Sequence, residues 1–166
     1  MKVTVVEGDI TEQDVDAVVN AANNRMRGGS GVDGAIHRAG GPAVLADCVE
    51  RFPQGLATGD AGWTTAGEMR ARWVIHVVGP DRTRGQADRS LLTSCYRRAL
   101  EVADELGARS VAFPLVSAGV YGWPKDDAIA APLEVFRTAD TAVEEARLVA
   151  FGHETYEQIR AQLAQR

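Results

Sequence analysis

Short apolar runs rich in β-branched residues alternate along this chain with longer stretches whose apolar positions recur every three or four residues. The short runs predict strands over 3–7, 17–20, 63–65, 73–78, 110–114 and 148–151. The longer stretches predict a helix over 33–39 that continues after Pro42 to about 51, then helices over 88–106, 126–138 and 154–165. Strands that alternate with helices imply an α/β fold, with a largely parallel sheet covered by helices on both faces. In such sheets ligands bind beyond the carboxyl ends of the strands. No repeat, low-complexity tract or interdomain linker interrupts the alternation, so residues 1–166 read as one domain.

Composition narrows the function classes. The chain has 166 residues, 45% hydrophobic and 25% charged, the balance of an ordinary globular domain. Its net charge of −5 argues against gripping a DNA or RNA groove, which needs a basic face. An anionic small ligand is still allowed, because helix N-termini and backbone N–H groups hold phosphate without Lys or Arg. The longest apolar run is too short for a membrane span, and Met1 to Val6 read as a strand rather than a signal peptide. A cytoplasmic location is the resulting expectation. Cys48 and Cys95 fit neither a zinc pattern nor a disulfide framework, and read as buried reduced thiols on helices.

Two glycine-rich loops stand out, each between a strand end and a helix start. The first runs from Asn20 to His37, with glycines at 28, 29, 31 and 34. Glycines let backbone approach a ligand closely and turn N–H groups inward, and the following helix puts its positive end at the same place. The loop lacks both the Gly-Lys-Ser/Thr of a P-loop and GxGxxG spacing. The second loop, Ser117 to Pro124, leaves the apolar strand ending in Phe113-Pro114. A pair of such loops suits a pyrophosphate held from both sides. Tyr121 and Trp123 add flat apolar surface for a sugar or base, or pack as core and lid.

Five blocks carry a resemblance to a known family. They are Gly8-Asp9-Ile10-Thr11, Val15 to Asn23, Gly31-Val32-Asp33-Gly34-Ala35-Ile36-His37, Val74-Ile75-His76-Val77-Val78-Gly79-Pro80, and Phe113 to Pro124. In order and spacing they resemble the macrodomains, over about residues 3–155. The Gly-Val-Asp-Gly-x-Ile-His block, with Ser-x-Gly-Val-Tyr-Gly-x-Pro later, is similar to the MacroD type. That subgroup contains mono-ADP-ribosyl-protein hydrolases and enzymes that deacetylate O-acetyl-ADP-ribose, while other macrodomains only bind ADP-ribose. The resemblance implies a three-layer α/β/α macrodomain around a central mixed, largely parallel sheet.

It also implies roles. Asp9 would accept a hydrogen bond from the adenine amino group and the Ile10 backbone would contact the ring, although a lone carboxylate after a strand is ordinarily a turn or cap residue. Phe151 would cover the adenine face, with core packing as the alternative. Asn23 would bind the distal ribose hydroxyls. Asn20 joins the ligand set and reads as a brace of the loop. Gly31, Val32, Ser117, Ala118, Gly119, Val120, Tyr121 and Gly122 would line the phosphate and ribose path.

Asp33 and His37 lie four apart on one helix face. They read either as a local Asp–His pair or as chemistry, with Asp33 acting on a water beside the anomeric carbon and His37 orienting it. Departure from that carbon passes through an oxocarbenium-like state, which suits a nearby carboxylate. A water held by the ligand's own phosphate is the competing mechanism. With Asn23, these two complete the catalytic set of Asp33, Asn23 and His37. His76 and His153 read as structural, no metal site is expected, and the chemistry calls for no cofactor. The expected partners are ADP-ribose and mono-ADP-ribosylated proteins. The expected activity is hydrolysis of mono-ADP-ribose from acidic side chains, with deacetylation of O-acetyl-ADP-ribose at the same pocket and a non-catalytic reader as alternatives.

Three departures from the family pattern fall on the cleft rim. Ser30 interrupts a usual four-glycine run, and Ala118 stands where Thr is usual. After Thr65-Ala66-Gly67, a Tyr and a Leu-Pro pair are replaced by Glu68-Met69-Arg70-Ala71.

Overall fold

Apolar residues on both sides of a strand require cover on both sides, and that requirement organises the molecule. A computed structural model describes residues 1–165. Six strands, β1 (Lys2–Glu7), β2 (Ala17–Ala22), β3 (Ala61–Thr65), β4 (Trp73–Val78), β5 (Ser110–Phe113) and β6 (Glu145–Ala150), form one sheet in the order β1-β6-β5-β2-β4-β3. All neighbours pair in parallel except β3, which runs antiparallel to β4 at the edge. Five helices cover it: α1 (Gly31–Gly40), α2 (Pro42–Arg51), α3 (Arg89–Leu106), α4 (Lys125–Thr138) and α5 (His153–Ala164).

Alternate side chains of each strand feed different cores. Ala17, Val19, Ile75, Val77, Phe113 and Leu148 join the cluster under α3, α4 and α5. Val18, Val74, Ala112 and Val149 join Ile36 of α1 on the other face. Val44 and Cys48 of α2 close that second layer with Ala22 and Met26. The result is a three-layer α/β/α fold with a mixed, largely parallel sheet. No helix among the described residues is long and apolar enough to cross a membrane.

The structure moves several predicted boundaries. β2 runs on to Ala22 and β6 begins at Glu145, three residues earlier than its apolar run suggests. β5 stops at Phe113, because Pro114 has no N–H for the ladder. The expected continuous helix across Pro42 is two helices. Gly41 turns the chain at φ 80° between them, a left-handed conformation suited to glycine. α1 begins at Gly31 rather than Asp33, which matters for the site. A short 3-10 turn at Ile10–Glu12, not foreseen, is capped by Asp9.

Candidate active site

The carboxyl ends of β2, β4 and β5 open onto a cleft of about 250 Å³. One wall is the first loop and the start of α1, with Asn23, Gly29, Ser30, Gly31, Val32 and Asp33; the other is the second loop, with Ser117, Gly119, Val120 and Tyr121. Ala21, Ala22, Gly79, Leu115 and Val116 complete the lining. Of these, Gly29 belongs to the glycine loop expected to approach the ligand, whereas Gly79 and the Ala21-Ala22 floor were given no site role from sequence. Their signal, a strand end beside a glycine loop, is common to many turns.

Both walls offer backbone donors. The first N–H groups of a helix have no partner within it, so those of α1 at Val32 and Asp33 face the cleft end of the helix unspent. Ser30 caps α1 with extended backbone but makes no side-chain cap hydrogen bond. Across the cleft, the amides of Gly119, Val120 and Tyr121 meet no acceptor among the described residues. Ser117 holds a left-handed φ of 66°, fixed by its hydroxyl donating to Pro80 O at 2.8 Å and by Trp123 N donating to Ser117 O at 2.9 Å. A conformation this unusual for a serine persists only where neighbours enforce it.

Asp33 is buried at the floor, on the first turn of α1. Its Oδ1 accepts a hydrogen bond from Asn20 Nδ2 at 2.8 Å, and His37 Nε2 lies 3.4 Å from the same oxygen. Its Oδ2 and Asn23 Nδ2 flank Gly29: a methyl there would come within 3.1 Å of the first and 3.4 Å of the second. Asn23 is itself fixed, donating from Nδ2 to Gly28 O and accepting at Oδ1 from Arg25 N.

Several expected residues sit elsewhere. Asn20 does not line the cleft; it is fully buried on β2 behind Asp33, which it holds more closely than His37 does. Ala118 turns its methyl onto the main core instead of the ligand path. Gly122, at φ 75°, lies behind the wall against Thr83 and supplies the turn. Asp9 and Ile10 lie outside this cavity, at the end of β1, where Asp9 Oδ1 accepts from Thr11 N and Oγ1 at 2.9 and 2.7 Å. Phe151 is 94% exposed, which overturns the core-packing alternative. The parallel register Glu7↔Ala150 makes β1 and β6 end together, so Asp9 and Phe151 both follow the carboxyl ends of adjacent strands, on the same side of the sheet as the cleft. Val32, next to Asp33, packs against the apolar cluster that also holds Ile10 and Val149.

The remaining candidates have plain structural roles. Trp123 is buried, its Nε1 donating to Asp127. His153 begins α5 on the surface, beside Glu7 and stacked on Tyr156. Cys48 and Cys95 are both buried and free, with burial pushing their thiols up to about 11 and about 12.

A model of the Macro domain family matches residues 19–131. The chain belongs to the Macro domain family. It is 53% identical over 165 residues to a macro domain-containing protein of Streptomyces coelicolor, covering 97% of this macrodomain and 98% of that relative. It is 43% identical over 162 residues to O-acetyl-ADP-ribose deacetylase 1 of Pantoea vagans, covering 94% and 95%. Among solved structures it is similar to an Oceanobacillus iheyensis macrodomain variant with ADPR, at a TM-score of 0.92 and 36% identity, covering 97% of this chain and 91% of that one.

Proposed function

We propose that this macrodomain binds ADP-ribose across the carboxyl edge of its sheet and hydrolyses mono-ADP-ribose from acidic side chains of proteins. The observation that carries the reading is Asp33, a buried carboxylate at the floor of a cleft whose two walls present unspent backbone N–H groups. The walls suit the pyrophosphate, with donors on both sides and no lysine or arginine required. Asn23 would hold the distal ribose beside Asp33. Asp9 and the open face of Phe151 would receive the adenine at the far end of the same edge.

Hydrolysis then needs little machinery. The oxygen of water forms a bond to the anomeric carbon while that carbon's bond to the target's carboxylate oxygen breaks, and the carboxylate leaves with the bonding pair. Asp33 Oδ2 accepts the proton that water gives up and faces the positive charge developing on the ring. For O-acetyl-ADP-ribose the same water would instead attack the acetyl carbonyl carbon, the acyl C–O bond breaking to release acetate and the free ribose hydroxyl, a reading favoured by the name of the Pantoea vagans relative. Incubation with protein mono-ADP-ribosylated on Glu or Asp should release free ADP-ribose. Calorimetry should show low-micromolar binding of ADP-ribose itself. Tight binding without release would make the protein a reader, and no binding would end both readings.

A further inference from the structure

Behind Asp33 a line of buried polar side chains crosses three adjacent strands on one face of the sheet. Asn20 of β2 and His76 of β4 are register partners, and Thr64 of β3 sits one step along. All three are buried. Asn20 Nδ2 lies 2.8 Å from Asp33 Oδ1 and 3.1 Å from His76 Nδ1; His76 Nε2 lies 2.8 Å from Thr64 Oγ1.

The proton positions follow from one fixed end. The Thr64 hydroxyl donates to Thr65 O at 2.9 Å, so its oxygen accepts from His76 Nε2–H. A neutral imidazole with its proton on Nε2 has a bare Nδ1, which only accepts. Asn20 must therefore aim its NH₂ group at His76, and its second hydrogen then meets Asp33 Oδ1. The opposite amide orientation would set the Asn20 carbonyl oxygen against two acceptors. Burial, with His37 nearby, drives the His76 pKa down to about 3 against the opposing pull of Asp33 and Asp47, so the ring stays neutral. Asn20 Oδ1 is left buried without a partner, the cost of pointing the amide this way.

We infer that Asn20, His76 and Thr64 form a hydrogen-bond chain that fixes the Asn20 amide, with one N–H given to His76 and the other to Asp33, and so orients the Asp33 carboxylate in the cleft. This rests on the catalytic role proposed for Asp33, and it makes the three positioning residues. With Oδ1 fixed from behind, Oδ2 is left facing Gly29 and Asn23 for work on water.

The first test uses the unaltered protein. Long-range ¹H–¹⁵N correlation should find His76 as the neutral Nε2–H tautomer from about pH 5 to 8. An Nδ1–H tautomer or an imidazolium in that range would overturn the chain, whatever the activity. The second test is kinetic. His76→Leu should lower kcat for ADP-ribose release by about 10-fold or more, with KM little changed, the scale expected when a reacting group loses its support. His76→Asn, which restores an acceptor at the Nδ1 position, should recover most of that loss. In an Asp33→Ala background His76→Leu should cost nothing further, whereas an equal loss in both backgrounds would make His76 merely structural and sink the inference. Absence of release by the parent would remove the proposed hydrolysis while the tautomer result still decides the chain.

Discussion

Removing the Asp33 carboxylate takes away one acceptor from a buried donor pair and one group from the reacting floor. Asp33→Ala should therefore lose at least ~10²-fold in ADP-ribose release while affinity for ADP-ribose changes much less, the pattern of an interaction made in the transition state. Stability should fall as well, by about 1–3 kcal/mol, because Asn20 Nδ2 is left without its 2.8 Å partner. Circular dichroism and single-turnover assays separate the two effects; parent-like release would move the chemistry to a phosphate-held water. Asp9 carries a double role that its own variant can expose. Its Oδ1 is committed to the 3-10 turn, so Asp9→Ala should cost about 0.5–2 kcal/mol in stability as a lost cap. If Oδ2 also receives adenine, calorimetry should show ADP-ribose weakened by about 1–3 kcal/mol and ribose 5-phosphate unaffected. Unchanged ADP-ribose affinity would leave Asp9 a cap alone. The chemistry of these residues was legible from residue type and helix spacing, which set Asp33 and His37 on one face. What holds Asp33 was not, since its nearest support is Asn20 rather than the helical neighbour.

At the scale of elements, the first loop and α1 act as one piece. Gly34 lies inside α1, where alanine would ordinarily favour the helix by about 1 kcal/mol. Here a methyl would meet Gly29 O at 2.6 Å, so helix and loop would have to part. Gly34→Ala should lower the melting temperature and weaken ADP-ribose together, with a stability cost of about 1–3 kcal/mol typical of overpacking. Thermal melts with and without ligand read both; a more stable protein of unchanged affinity would show that the loop is free to shift. Sequence periodicity gave the existence and order of the elements, and missed how they end. Gly41 splits α1 from α2, and β6 stops short of Phe151, because those ends are decided by backbone turns and by pairing with β1 and β5.

For the whole molecule, His76 should make stability sensitive to acid. Its folded pKa of about 3 lies below the ordinary value of 6.5, so the unfolded chain takes up a proton first as pH falls. The sign is thus destabilising on acidification. Stability is intact above about pH 6.5, drops by up to ~1.4 kcal/mol per pH unit below it, and this contribution levels off near pH 3. Urea melts across that window should show the loss, and His76→Asn, which cannot titrate, should show a shallower one. Equal slopes would place the acid sensitivity elsewhere.

The sequence alone determined what depends on neighbours along the chain: the alternation of strand and helix, both glycine loops, and the helical spacing of Asp33 and His37. The charge balance likewise needed no fold to argue against a nucleic-acid groove. Tertiary structure alone decided which strands lie side by side. It set Asn20 against His76, 56 residues away, and brought the strand ends that lead into Asp9 and Phe151 together. Strand register is fixed by non-local pairing and by which faces find helices to cover them, and local propensity carries neither.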